Sequence, residues 1–159
     1  MTAPNIVRGS QPTGQTLALL KSGGVTTVIN LRNEDVLVAQ EGIMAKRLGL
    51  NYVNIPMNIF DVPSKQQITD FLAAISKARG KVFVHCQHGQ DRTGTMIGMY
   101  RIAHDGWDAK RAYQEMLSCG FRPYLGNLTE GVYEFSASMG RPVARPALNL
   151  SDMFSHFHF

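Results

Sequence analysis

A chain of 159 residues, 44% hydrophobic and 18% charged, suits one globular domain with a real core and excludes a disordered or fibrous protein. Its net charge of +4 favours anionic ligands, but the cations are scattered, with no run of five, which argues against a nucleic-acid partner. Two cysteines make no disulfide framework. The first ten residues lack the apolar core of a signal peptide, and no stretch approaches the ~20 apolar residues of a membrane span. A cytoplasmic, reducing setting and a monomer are the expectations.

In chain order, Asn5 to Gln11 reads as a short edge strand and a turn. A helix starts at Pro12 or Thr13, carries Leu17, Leu19 and Leu20, and stops at Gly23-Gly24. Val25 to Leu31 is rich in β-branched residues and predicts a central strand. Glu34 to Leu48 predicts a helix, acidic early and basic late as its dipole favours, with Gly49 ending it. Asn51 to Ile55 is a third strand, and Pro56 to Pro63 a loop. Ser64 with Gln67 forms a capping-box pattern ahead of Ile68, Phe71, Leu72 and Ile75 at helical spacing.

Gly80 closes that helix, and Val82 to Val84 is a short buried strand. The chain then runs His85-Cys86-Gln87-His88-Gly89-Gln90-Asp91-Arg92-Thr93-Gly94, and Thr93 and Gly94 open another apolar-periodic helix, expected to end near His104. Trp107 is expected to pack inward. Asp108 caps a helix with Ala109, Ala112, Tyr113 and Met116 inward, and Asn127 to Met139 makes the last helix. Residues 1–140 form the predicted domain. Residues 141–159, interrupted by Pro142 and Pro146 and aromatic from Met153 to Phe159, form an extension that is either docked or disordered. Strands alternating with helices predict an α/β layer fold around a mostly parallel sheet. Ligand sites in such sheets lie beyond the carboxyl ends of the strands, where Cys86 falls.

Strand, tight loop and helix start together make an anion site. Helix-start amides lack intrahelical partners, and a curled loop adds more. Arg92 can grip two phosphate oxygens in a planar fork. A cysteine in that field is stabilised as thiolate and can attack phosphorus. Gly89 allows the curl, while Gln87, His88, Gln90 and Asp91 contribute mainly backbone amides around the phosphate.

Cys-x-x-x-x-x-Arg-Thr after a strand, with His85 ahead of it, resembles the signature loop of the cysteine-dependent protein tyrosine phosphatase superfamily. The chain as a whole is similar to small bacterial dual-specificity-like members. Val-Ile-Asn-Leu-Arg at 28–32 and Gly106-Trp107 before a helix fit the same pattern. The resemblance implies an α/β fold over roughly residues 5–140, phosphomonoester hydrolysis through a phosphocysteine on Cys86, phosphate held by Arg92, and turnover aided by Thr93. It implies neither metal nor cofactor. Arg122 and Asn127 resemble a stretch that braces the loop.

The leaving oxygen needs a proton. Asp61, in Ile-Phe-Asp-Val-Pro, resembles the acid-bearing loop of dual-specificity phosphatases and is the first candidate; a plain turn aspartate is its alternative. Asp91 is the rival, resembling the Asp-Arg-Thr endings of myotubularin-type and some lipid-active phosphatases; its alternative is a loop brace or an ion pair. Arg92 has its own alternative, a structural pair with Asp91 or Asp61. His85 is expected to be buried, either orienting the loop or simply satisfied as a core histidine. Cys119 is expected in the core rather than as a redox partner of Cys86. The expected substrate is a phosphorylated protein, most of all phosphotyrosine. A phosphoinositide or small phosphorylated metabolite, or a non-catalytic phosphate-binding module, is the alternative, and an arsenate reductase ranks below these.

Overall fold

The computed structural model describes residues 5–146. Four parallel strands form one sheet in the order β1-β4-β2-β3, with β1 at Ile6–Gly9, β2 at Val25–Asn30, β3 at Asn51–Asn54 and β4 at Lys81–His85. The expected edge and central strands are both there. β4, the strand that delivers Cys86, lies between β1 and β2, with Gly9 and Asn30 in register with His85 on either side. Its end is therefore held from both flanks.

Side chains alternate across the sheet. Val28 and Phe83 face one layer with Leu17 and Ala45, contributed by α1 (Gly14–Ser22) and α2 (Asp35–Arg47). Ile29, Val82 and Val84 face the larger layer, built from α3 (Lys65–Lys77), α4 (Asp91–Asp105), α5 (Ala109–Ser118) and α6 (Gly126–Ser138). Local chemistry sets the helix starts. The Thr13 hydroxyl accepts from the Thr16 amide, and the Asp108 carboxylate accepts from the Arg111 amide. Ser64 and Gln67 close the expected capping box in both directions.

α4 begins at Asp91, two residues before the predicted start, so Arg92 already lies in the first turn. It is buried on nearly all sides from Asp91 to Tyr100, as the central helix of its layer. Trp107 is half-buried, with the guanidinium carbons of Arg101 and Arg111 5.1 and 4.1 Å from its ring centroid. Cys119 corrects an expectation. It is free and exposed, because it caps the C-terminus of α5 beyond the inward stripe of Ala109, Ala112 and Met116. Of the extension, Arg141 donates to the Trp107 carbonyl at 3.0 Å and Val143 packs on the core, while the aromatic run from Met153 to Phe159 lies outside the described residues. No described helix is long and apolar enough to cross a membrane.

Candidate active site

Cys86 follows β4 directly and is 3% exposed at the start of the loop leading into α4. The loop is pinned by its carbonyls. The His85 carbonyl accepts from the Leu31 amide at 2.9 Å, and that of Cys86 lies 3.0 Å from His85 Nδ1. The carbonyl of Gln87 accepts from the Gln11 amide at 3.1 Å, and that of Gly89 from Arg8 Nη2 at 2.9 Å. In a trans peptide, C=O and the next N–H point opposite ways. The amides of Gln87, His88 and Gln90 therefore turn away from these anchors. Gly89 makes the bend possible with φ +72°, and a Cβ there would stand 2.4 Å from the Gly9 carbonyl oxygen.

Arg92 is 6% exposed and has no carboxylate partner among the described residues, so neither structural pairing considered from sequence is formed. Its Nη1 donates to the Met57 carbonyl at 3.1 Å and to Asn33 Oδ1 at 3.3 Å. Its Nε is buried with no hydrogen-bond partner among the described residues. A buried guanidinium with an idle donor edge is costly unless an anion completes it. Burial raises the Cys86 thiol pKa, but the Thr93 hydroxyl, the amides of Thr93 and Gly89 and the Arg92 charge outweigh it and hold the thiol below its ordinary value. Thr93 Oγ1 is itself buried and makes no close hydrogen bond, which leaves it available to the sulfur.

The two candidate acids sit in opposite surroundings. Asp91 is 4% exposed and fully engaged: Oδ1 accepts from the Arg122 amide at 3.0 Å, and Oδ2 from Arg122 Nε at 2.9 Å and from Nη2. Asp61 is exposed, and its carboxylate makes no hydrogen bond or ion pair among the described residues. Its loop is nevertheless anchored. Arg92 holds the Met57 carbonyl at its base, Asn58 Oδ1 accepts from the Phe60 amide at 2.8 Å, and Asn127 Nδ2 donates to the Phe60 carbonyl at 2.6 Å. So Arg122 braces the signature loop and Asn127 braces the Asp61 loop. Beside the latter lies a hollow of about 290 Å³ lined by Ile59, Phe60, Tyr124, Leu125, Gly126 and Asn127.

A family model described as "PTP-NADK: DSP-PTPase phosphatase fused to NAD+ Kinase" matches residues 2–124. The chain belongs to this DSP-PTPase family. The match takes in the whole of the signature loop and the Asp61 loop but stops before Asn127. Dual specificity protein phosphatase TpbA of Pseudomonas aeruginosa is 31% identical over 127 residues, 75% of this chain and 53% of that protein. The chain thus spans about half the length of the TpbA sequences it matches. Among solved structures, a putative phosphatase (DUF442) from Shewanella putrefaciens is 26% identical with a TM-score of 0.72, covering 87% of this chain and 88% of that one. The crystal structure of TpbA superposes with a TM-score of 0.66 at 26% identity, covering 86% and 87%. Both superpositions assign the same overall fold, and in this chain the parallel sheet sets the loop at the end of a central strand.

Sequence reasoning did not find Arg8, Gln11, Asn33 or Glu41. Arg8 lies within β1 and Gln11 and Asn33 lie in loops, polar residues with no pattern to mark them. Glu41 did leave a signal: it occupies the buried stripe of α2, in line with Val38 and Ala45.

Proposed function

We propose that this DSP-PTPase family member is a phosphomonoester hydrolase that works through a phosphocysteine on Cys86, with phosphotyrosine in proteins as its substrate. The observation that carries the reading is the pairing of a thiol held below its ordinary pKa with a buried arginine, Arg92, whose Nε has no partner among the described residues. One group supplies the nucleophile. The other supplies a charged fork for the phosphoryl oxygens, whose negative charge spreads as the bond to the leaving group breaks.

In this reading the Cys86 thiolate attacks phosphorus while the loop amides and Arg92 hold the equatorial oxygens. Asp61 protonates the departing oxygen and then takes a proton from the water that attacks the phosphocysteine. Thr93 donates to the sulfur as it leaves. Asp61 is preferred as the acid because its carboxylate is free, whereas Asp91 is committed to Arg122. The reading also places the enzyme in the cytoplasm as a monomer, where reducing conditions keep the thiolate intact.

A singly phosphorylated substrate suits the charge layout. Arg32 is paired with Glu34 at 2.9 Å and Arg122 with Asp91, while Arg8 directs Nη2 to the Gly89 carbonyl, so the cations near the loop other than Arg92 are already engaged. A head group with several phosphates would find few free partners. Phe60 and Tyr124, which line the hollow beside Asp61, suit an aromatic substrate. The related TpbA has been crystallised in complex with pTyr.

The test is hydrolysis of an aryl phosphate in metal-free buffer. Wild type should turn over, vanadate should block it, chelators should not, and Cys86→Ser should be inactive. Turnover by Cys86→Ser, or an inert wild type, would end the reading.

A further inference from the structure

His85 and Glu41 are a buried titratable pair that the steps above do not use, with side chains 0% and 1% exposed. His85 Nδ1 is 3.0 Å from the Cys86 carbonyl oxygen. A carbonyl has no proton to give, so Nδ1 is the donor. His85 Nε2 is 2.7 Å from Glu41 Oε2. A bare Nε2 facing an ionised carboxylate would oppose two lone pairs at that distance, so a proton lies between them.

The other Glu41 oxygen is also held. Oε1 accepts from Gln11 Nε2 at 2.6 Å, Gln11 Oε1 accepts from Arg32 Nη1 at 3.1 Å, and Arg32 Nε donates to Glu34 Oε2 at 2.9 Å. From β3, Tyr52 donates to the Val38 carbonyl and accepts from Asn30. Burial, with the Glu41 charge adding to it, pushes its pKa up to about 12, so it stays neutral. The groups facing the pair are thus Gln11, Arg32 and Tyr52. A buried carboxylate is expensive, and this one is held by His85 and Gln11, both of which anchor the loop.

We propose that Glu41 is a positioning residue for the nucleophile: by holding the proton it shares with His85, it commits His85 Nδ1–H to the Cys86 carbonyl and so turns the Gln87 amide toward the phosphate. The link runs from α2 through β4 into the loop. Without the shared proton, His85 is free to adopt the other tautomer, and the Cys86 carbonyl loses its anchor. The Gln87 peptide plane then rotates, and the loop's field on the sulfur weakens.

This rests on Cys86 as the nucleophile, and the test separates the two claims. Iodoacetamide alkylation is followed against pH in Cys119→Ser protein, so that only Cys86 reports, with and without Glu41→Leu, which offers His85 Nε2 neither a donor nor an acceptor. The expected result is a midpoint raised by about one pH unit in Glu41→Leu, with kcat falling more than KM rises. An unchanged midpoint in folded Glu41→Leu overturns the proposal alone. An ordinary-thiol midpoint already in the Cys119→Ser parent overturns the nucleophile reading with it. If Glu41→Leu does not fold, the ring nitrogens of His85 decide by NMR in the parent: a protonated Nδ1 with a proton shared at Nε2 supports the proposal, and an unprotonated Nδ1 defeats it.

Discussion

Arg122 closes on Asp91 from two directions, its amide donating to Oδ1 at 3.0 Å and its guanidinium to Oδ2 at 2.9 Å. The pair joins the first residue of α4 to the segment after α5, so the mouth of the signature loop is tied to a part of the chain 31 residues away. The Asp91 hydrogen bonds hold Arg122 protonated more firmly than usual, against the opposing effect of burial.

Removing that guanidinium leaves Asp91 buried beside a single amide. Arg122→Ala should lower stability by roughly 3 kcal/mol, the range for a buried carboxylate stripped of its partner. Thermal unfolding should move down by about 6–12 °C. A melt within 2 °C of wild type would mean that the ion pair braces nothing.

The acid assignment turns on the leaving group. Asp61→Asn should lose about 100-fold in kcat on alkyl phosphates and about tenfold or less on p-nitrophenyl phosphate, because an alkoxide departs poorly without a proton. Steady-state kinetics on the two esters measure the difference. Full activity of Asp61→Asn on alkyl esters would transfer the role to Asp91.

Gly89→Ala probes the bend of the loop. The new Cβ would meet the Gly9 carbonyl oxygen at 2.4 Å in a left-handed backbone, and neither strand nor loop can yield cheaply. The expected outcome is a loss of about 100-fold or more in kcat/KM with roughly 2 kcal/mol of stability. Near-wild-type kinetics would show the loop tolerates another path.

The pH dependence follows from Cys86. Its folded pKa lies below the ordinary 9.0. Between the folded and unfolded values the unfolded chain binds more protons, so stability rises with pH. The contribution is complete above the unfolded value and is lost as pH falls through the folded one. The stability difference between wild type and Cys86→Ser, taken from urea melts, should therefore widen toward pH 9. A difference that narrows instead would place the thiol above its ordinary value.

Much of this was legible in the linear chain because it rests on local signals. Ser64 and Gln67 cap α3 as their spacing demands, Asp108 caps α5, and β4 runs into a loop whose cysteine and arginine stand six apart. Hydrogen bonds to the nearest amides and the periodicity of apolar residues need no knowledge of the rest of the fold. Cys119 escaped because burial at a helix end depends on what packs beyond it, and among the described residues it is left exposed. The start of α4 escaped because Asp91 is drawn into the first turn by Arg122, which sequence spacing does not reveal.

By itself, then, the order of residues determined the alternation of strands and helices and the presence of a thiol and a guanidinium on one short loop, since these depend on neighbours along the chain. Only the tertiary structure decided which aspartate stays free, which arginines are neutralised, and that Glu41 stands behind His85. Apart from Arg32–Glu34, those outcomes rest on contacts 31 to 44 residues apart along the chain, and charge pairing there depends on distance in space.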